Sequence, residues 1–266
     1  MCSHHRPEIT GLKEPPAQTA DTPPWRLWLI RAVLVGVSLA AWFGTQALIQ
    51  ARPDPPADES RAAGIFLARH DALLQLTRPI HDRLLQHRGW ADWLLIASSA
   101  MVDGLGIFLL ARAIFGPSIR PLIGLLLIFG LRQLMQQLCP LPPPGGPENV
   151  IWHNPGVPSL LVTYGVTKDL FFSGHTAIAV FGAIEVGRLG RKWLPVAAVI
   201  VLFEVAVVLV LWAHYTMDVY AGAITAVCMV LIADRIAPAC DRALGRLVAP
   251  GPIVRGEEAA RTGGVG

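Results

Sequence analysis

The sequence predicts an all-α membrane protein, a bundle of six transmembrane helices, and three observations carry that expectation. Charged residues make up 15% of the chain and hydrophobic ones 53%, whereas soluble domains carry about 25% charge. Several apolar stretches approach the ~20 residues that a helix needs to cross a bilayer. Turn-forming links close those stretches, such as Gly116-Pro117 and the run from Pro140 to Pro147, which suits neither helix nor central strand. A length of 266 residues fits one domain.

In chain order, residues 1–24 are polar and proline-containing and read as a disordered cytoplasmic N-terminus. No cleavable signal is expected, because the apolar run that follows is too long. The first span is Trp25 to Gln50, with Trp25 and Trp28 at one rim and Gln46 and Gln50 near the other. From Arg52 to Gly89 a proline cluster leads into an amphipathic stretch. Leu73, Leu74, Leu76, Ile80, Leu84 and Leu85 recur there at helical spacing among charged residues. It either lies on the membrane surface or caps the bundle. The remaining spans are Trp90 to Phe115, Ile119 to Leu138, Phe171 to Val186, Trp193 to Trp212 and Tyr215 to Ile236. The membrane domain is therefore residues 25–236, and residues 237–266 form a cytoplasmic tail. The link from Cys139 to Asp169 is long enough to be a functional lid.

Loop charges set an orientation. Arg112 and Arg120 flank the second link, Arg188, Arg191 and Lys192 fill the fourth, and Arg235, Arg242 and Arg246 follow the last span, while the third link has only Lys168. The positive-inside rule places links two and four and both termini in the cytoplasm. The first link, with Arg52, Arg61, Arg69, Arg78, Arg83 and Arg88, runs against that assignment. The membrane is either a plasma or inner membrane or a Golgi-type endomembrane. A net charge of +3 with arginines beside apolar runs excludes nucleic acid as a partner and marks the basic residues as topology signals. Cys2, Cys139, Cys228 and Cys240 show no metal-ligand or disulfide spacing.

On this topology one constellation falls at the non-cytoplasmic face. Ser173-Gly174-His175-Thr176 opens the fourth span, and thirty-nine residues on (214 − 175) His214-Tyr215-Thr216-Met217-Asp218 opens the sixth. A single histidine at a membrane rim is ordinarily an interfacial polar residue. Two on one face, one after Ser-Gly and one paired with an acid, amount to chemistry. His214 and Asp218 are four apart and share a face if both are helical. The acid can then fix the ring's tautomer and raise the basicity of the other nitrogen. Such a histidine can attack phosphorus and form a covalent intermediate. His175 opposite can protonate the departing oxygen and later deprotonate an incoming hydroxyl. Backbone amides at Ser173-Gly174 would hold phosphoryl oxygens. A zinc site from two His and one Asp is weakly supported.

Phe172-Ser173-Gly174-His175-Thr176 and His214-Tyr215-Thr216-Met217-Asp218-Val219 resemble the two catalytic motifs of the sphingomyelin synthase-like branch of the type 2 phosphatidic acid phosphatase (PAP2) superfamily. The stretch from Leu131-Arg132-Gln133 to Leu141-Pro142-Pro143-Pro144-Gly145 resembles that branch's third span and its Leu-Pro turn, and Pro79-Ile80-His81-Asp82 is a faint echo of a further motif. The resemblance implies a six-span bundle with both termini cytoplasmic. It implies a head-group transferase in which His214, assisted by Asp218, takes a phospho-head group from a glycerophospholipid donor, with His175 as acid and base. The group then passes to a lipid hydroxyl acceptor, such as that of ceramide, or to water. Asp169 stands where that branch has an aspartate, and with Tyr215 it joins Ser173, Gly174 and Arg132 as substrate-binding residues. No metal and no other cofactor are implied. Lipid phosphate phosphatase or phospholipase C-like hydrolysis on the same scaffold is the alternative, a non-catalytic scaffold or transporter the second, and homo-oligomerisation stays open.

The chain departs from the wider superfamily's phosphatases, which carry an arginine six residues before the second catalytic histidine. Val208 stands there. A phosphate monoester with about two charges wants several cationic donors, so the site favours a singly charged diester. Asp103, Arg132 and Glu204 are charged residues within spans and are functional candidates for that reason. Arg132 either pairs with Asp103 or holds a phosphate oxygen. Glu204 reads as a structural acid. Glu148 could join the site from the loop.

Overall fold

The computed structural model describes residues 24–53, 56–162, 164 and 170–249. The polar N-terminus, most of the expected C-terminal tail's end, and Asp169 lie outside the described residues. The chain forms helices α1 (Pro24–Gln50), α2 (Ala57–His70), α3 (Ala72–Gln86), α4 (Arg88–Phe115), α5 (Arg120–Leu138), α6 (Gly174–Gly187), α7 (Leu194–Val210) and α8 (Thr216–Val248). A 3-10 turn, Arg191–Trp193, leads into α7, and no strand occurs among the described residues. The expected all-α bundle is the architecture observed.

Five of the expected spans, α1, α4, α5, the Arg191–Val210 segment and α8, are long and apolar enough to cross a membrane. The sixth is not. Helix α6 has 14 residues, about 21 Å at 1.5 Å per residue, against a hydrocarbon core of about 30 Å. It can be short because it is walled by protein: Ala177, Ile178, Phe181 and Gly182 are among its buried residues, and its neighbours are α4, α5, α7 and α8. A helix with little lipid contact need not match bilayer thickness. At one end α8 crosses it so closely that a side chain on Gly222 would meet the Ser173 carbonyl at 2.6 Å. At the other end Glu185, fully buried, pairs with Arg120 of α5 at 2.5 Å, and Arg120 and Arg188 both reach Asp234 of α8, at 3.2 and 2.7 Å. Nearby Arg31 of α1 bonds Asp241 at 3.0 Å and the Gly116 carbonyl at 2.7 Å. The arginines that read as topology signals therefore also clamp one end of the bundle.

Helix α8 continues past Ile236, where the last span was expected to end, to Val248 and carries Pro238 inside it. The amphipathic stretch is two helices, α2 and α3, hinged at Asp71, whose carboxylate caps α3 by accepting from the Leu74 amide at 3.1 Å. Of its two expected placements it takes the second. Leu74 and Leu84 are buried against Leu209, Leu211 and Trp212 at the end of α7, so α3 lids the α7–α8 turn.

The long α5–α6 link dips into the bundle. Leu161 and Val162 are buried against Val102 and Leu105 of α4, and a Leu161 methyl occupies the space a side chain on Gly106 would need. Irregular backbone survives at such depth only when its polar groups are satisfied by protein. Asp103 does this, accepting from Ser159 Oγ at 2.9 Å and from the amides of Leu160 and Leu161 at 2.8 Å each.

Candidate active site

The two histidines come from α6 and from the turn between α7 and α8, and both line one cavity of about 50 Å³ together with Arg132 and Gly174. That is room for about three or four waters, the scale of a phosphoryl group. Ser173 caps α6, its hydroxyl accepting from the Thr176 amide at 3.3 Å and the Thr176 hydroxyl at 3.0 Å, while its own amide donates to the Asp218 carbonyl at 3.1 Å. Both of its polar groups are thus engaged inside the protein. Ser173 sets the turn, and Gly174 is the member of that pair that lines the cavity.

His175 follows directly, its ring edge-on to Trp152 at 4.9 Å between centroids. Its Nε2 is buried without a hydrogen-bond partner. His214 is buried, and its Nδ1 lies 3.7 Å from Asp218 Oδ2. The pair is close but not on one helix. α8 begins at Thr216, so His214 sits in the preceding turn. The same Asp218 oxygen accepts from the Tyr215 amide at 3.0 Å. The expected histidine–aspartate hydrogen bond is therefore an approach of 3.7 Å, because the carboxylate caps the helix; catalytic bonds of this kind commonly tighten when substrate is bound.

Arg132 is buried in α5. Its Nε donates to the Phe172 carbonyl at 3.1 Å, and the guanidinium lies over Gly174, where an added Cβ would stand 2.9 Å from Nε. It does not pair with Asp103, whose carboxylate is taken up by the loop, and it lines the cavity beside both histidines. Tyr215 lines no part of this cavity; its hydroxyl donates to the Pro142 carbonyl at 3.0 Å and ties the loop to α8. Glu204 accepts from Ser98 Oγ at 2.8 Å as a buried strut between α7 and α4. Glu148 pairs with Arg61 at the surface, 2.8 Å away, outside the cavity.

Sequence reasoning missed the residues that hold the His214 turn. Asp71 accepts from the Thr216 amide at 2.7 Å and its hydroxyl at 2.5 Å, capping the start of α8 from outside. His81 stacks on Trp212 at 4.4 Å and donates from Nδ1 to the Val210 carbonyl at 2.9 Å. Burial pushes its pKa below the ordinary 6.5. Trp212 has φ 54°, a left-handed conformation unusual for a bulky residue, and this clamp holds it there. Asp71 had a legible signal, an Asp directly before the apolar run Ala72-Leu73-Leu74. Trp42 and Gln46 of α1 and Trp152 of the loop also line the cavity, whereas the sequence puts Gln46 near a membrane rim. Among the described residues no three His, Cys, Asp or Glu side chains converge as metal ligands do.

Residues 168–235 match the family model "PAP2 superfamily C-terminal". The matched segment contains His175, His214 and Asp218 and supports membership of the PAP2 superfamily. It suggests a lipid enzyme of the phosphatase or phosphotransferase type. No curated protein and no solved structure matches the chain.

Proposed function

We propose that the protein is a phospholipid head-group phosphotransferase, similar to the sphingomyelin synthase-like branch, that works through a phosphohistidine. The observation that carries this is the single small cavity shared by His175, His214 and Arg132. With Nδ1 turned to Asp218, Nε2 of His214 is the nitrogen available to attack phosphorus. The phosphorus–oxygen bond to the donor's glycerol breaks, His175 gives its proton to that oxygen, and diacylglycerol leaves. In the second half the acceptor's hydroxyl passes its proton to His175, its oxygen bonds phosphorus, and the bond to His214 breaks. Asp218 stabilises the charge on the His214 ring, and Arg132 with the Gly174 backbone holds phosphoryl oxygens.

One guanidinium among the cavity-lining residues suits a diester with one negative charge better than a monoester. We place the site below one face of the bilayer, at the N-terminal end of α6, where scarce water favours a lipid hydroxyl as acceptor. We place the site toward the non-cytoplasmic face, consistent with the arginine-rich clamp at the opposite end of α6. Asp169 adjoins the site in the chain and is proposed to contact substrate.

The test is to offer purified protein labelled phosphatidylcholine and phosphatidylethanolamine with and without ceramide. A transferase makes a new phospho-sphingolipid only when ceramide is present. A hydrolase releases diacylglycerol either way. His214→Ala and His175→Ala should each abolish turnover while the protein elutes as folded material. Full turnover by either variant would sink the proposed chemistry.

A further inference from the structure

A second cavity, of about 220 Å³, lies beside the first between α1 and α5. Its wall is apolar. Ser38 and Thr45 line it, yet their hydroxyls are spent on the carbonyls of Leu34, at 2.7 Å, and Ala41, at 3.0 Å, in their own helix. Trp42 and Phe129 belong to the walls of both cavities, and their rings stack at 5.3 Å with an interplanar angle of 30°. They form a neck between an apolar chamber and a phosphate-sized polar one.

Two polar atoms near that neck have no partner. Trp42 Nε1 and Gln46 Oε1 are buried and unbonded, on residues only 7% and 4% exposed. At membrane depth no bulk water supplies the missing bonds, and native proteins seldom leave such groups unmet. An indole N–H is a donor only, suited to a carbonyl, and an amide oxygen suits a hydroxyl or N–H. Those are the groups found where a lipid's head-group side meets its chain.

The loop stapled to Asp103 fills the α4 side with Leu161 and Val162, and α3 covers the His214 turn. α1 and α5 are both long enough to cross the membrane, so hydrocarbon is what adjoins the groove between them.

Resting on the function proposed above, we propose that the α1–α5 groove holds a hydrocarbon chain of the lipid whose phosphate sits at the histidines. At the neck the Trp42 N–H donates to the carbonyl of that lipid's ester or amide linkage, and Gln46 Oε1 accepts from an amide N–H or a lipid hydroxyl. The leaving lipid and the incoming acceptor take this groove in turn, each presenting its oxygen to His175.

Photolabelling reads occupancy without requiring turnover. Protein in nanodiscs is given phosphatidylcholine with a diazirine in one acyl chain, irradiated, and the labelled peptides are mapped. Label should concentrate on α1 and α5 peptides and fall at least fivefold with excess unlabelled phosphatidylcholine. Gly130→Leu should remove it to the same extent; Gly130 lines the groove and a Cβ there meets open space, so the variant should fold. Trp42→Phe keeps the stacked ring and loses the N–H, and should raise the competing concentration about tenfold, one hydrogen bond's worth. Label spread over the lipid-facing sides of α1, α4, α7 and α8, unchanged by Gly130→Leu, overturns the groove. Concentrated label in a protein with no head-group turnover upholds the groove and overturns the catalytic reading instead. Turnover with spread label does the reverse.

Discussion

Asp71 offers a stringent test of how the catalytic turn is held. It lies in none of the catalytic motifs, yet one carboxylate accepts three hydrogen bonds: from the Leu74 amide at 3.1 Å, the Thr216 amide at 2.7 Å and the Thr216 hydroxyl at 2.5 Å. The first caps α3, and the other two cap α8 and place a negative charge at its positive end. Losing an N-cap costs about 1 kcal/mol, and a bond to a charged group about 1.5–3 kcal/mol. Asp71 is half-buried, so water re-solvates part of what is lost, and Asp71→Ala should cost about 3 kcal/mol. At 2–4 °C per kcal/mol that is a fall in Tm of about 6–12 °C. Asp71→Asn keeps one acceptor oxygen but turns an amide N–H₂ toward the Thr216 amide, and should cost about 1–2 kcal/mol. The assay is thermal denaturation in detergent, with Thr216→Ala and the double variant to isolate the coupling. Turnover should fall too, because the turn carrying His214 precedes the capped residue. An Asp71→Ala protein with Tm within about 1 °C of wild type and unchanged turnover would refute the reasoning.

Three further predictions use the same logic. Gly174→Ala places a methyl 2.9 Å from Arg132 Nε, so the guanidinium must move; turnover should drop at least tenfold, about 1.4 kcal/mol, with Tm nearly unchanged. Asp103→Ala strands the Ser159 hydroxyl and two loop amides, costing about 3–5 kcal/mol; limited proteolysis should cut first between residues 151 and 162. His81 has a pKa lowered by burial, so below pH 6.5 the unfolded chain takes up more protons than the folded one. Stability is full above that value and falls as the pH drops through the interval down to the folded pKa. His81→Phe should flatten that part of the Tm–pH curve, and a difference curve with no pH dependence between pH 4 and 7 would count against the assignment.

That the two histidines share one place was legible because the signal resides in residue types: two histidines, a Ser-Gly turn and an aspartate four residues after one of the rings. The all-α bundle was legible because apolar runs and proline breaks are local. What escaped was set by backbone and by depth. The run after His175 is more apolar than every span but α7, and hydropathy cannot distinguish a helix facing lipid from one facing protein; only its neighbours make α6 a 14-residue core element. The four-residue spacing of His214 and Asp218 implied a shared helix face, but caps from Asp218 and Asp71 start the helix at Thr216, between them. Pairing with Asp103 was one of two candidate roles for Arg132, because opposite charges in lipid invite pairing. Each instead bonds backbone, loop amides for the acid and the Phe172 carbonyl for the arginine. Every residue has that backbone, so no pattern of side chains marks where it goes unpaired. The consequence is architectural: Asp103 is spent on the loop, and Arg132 lines the same cavity as the two histidines.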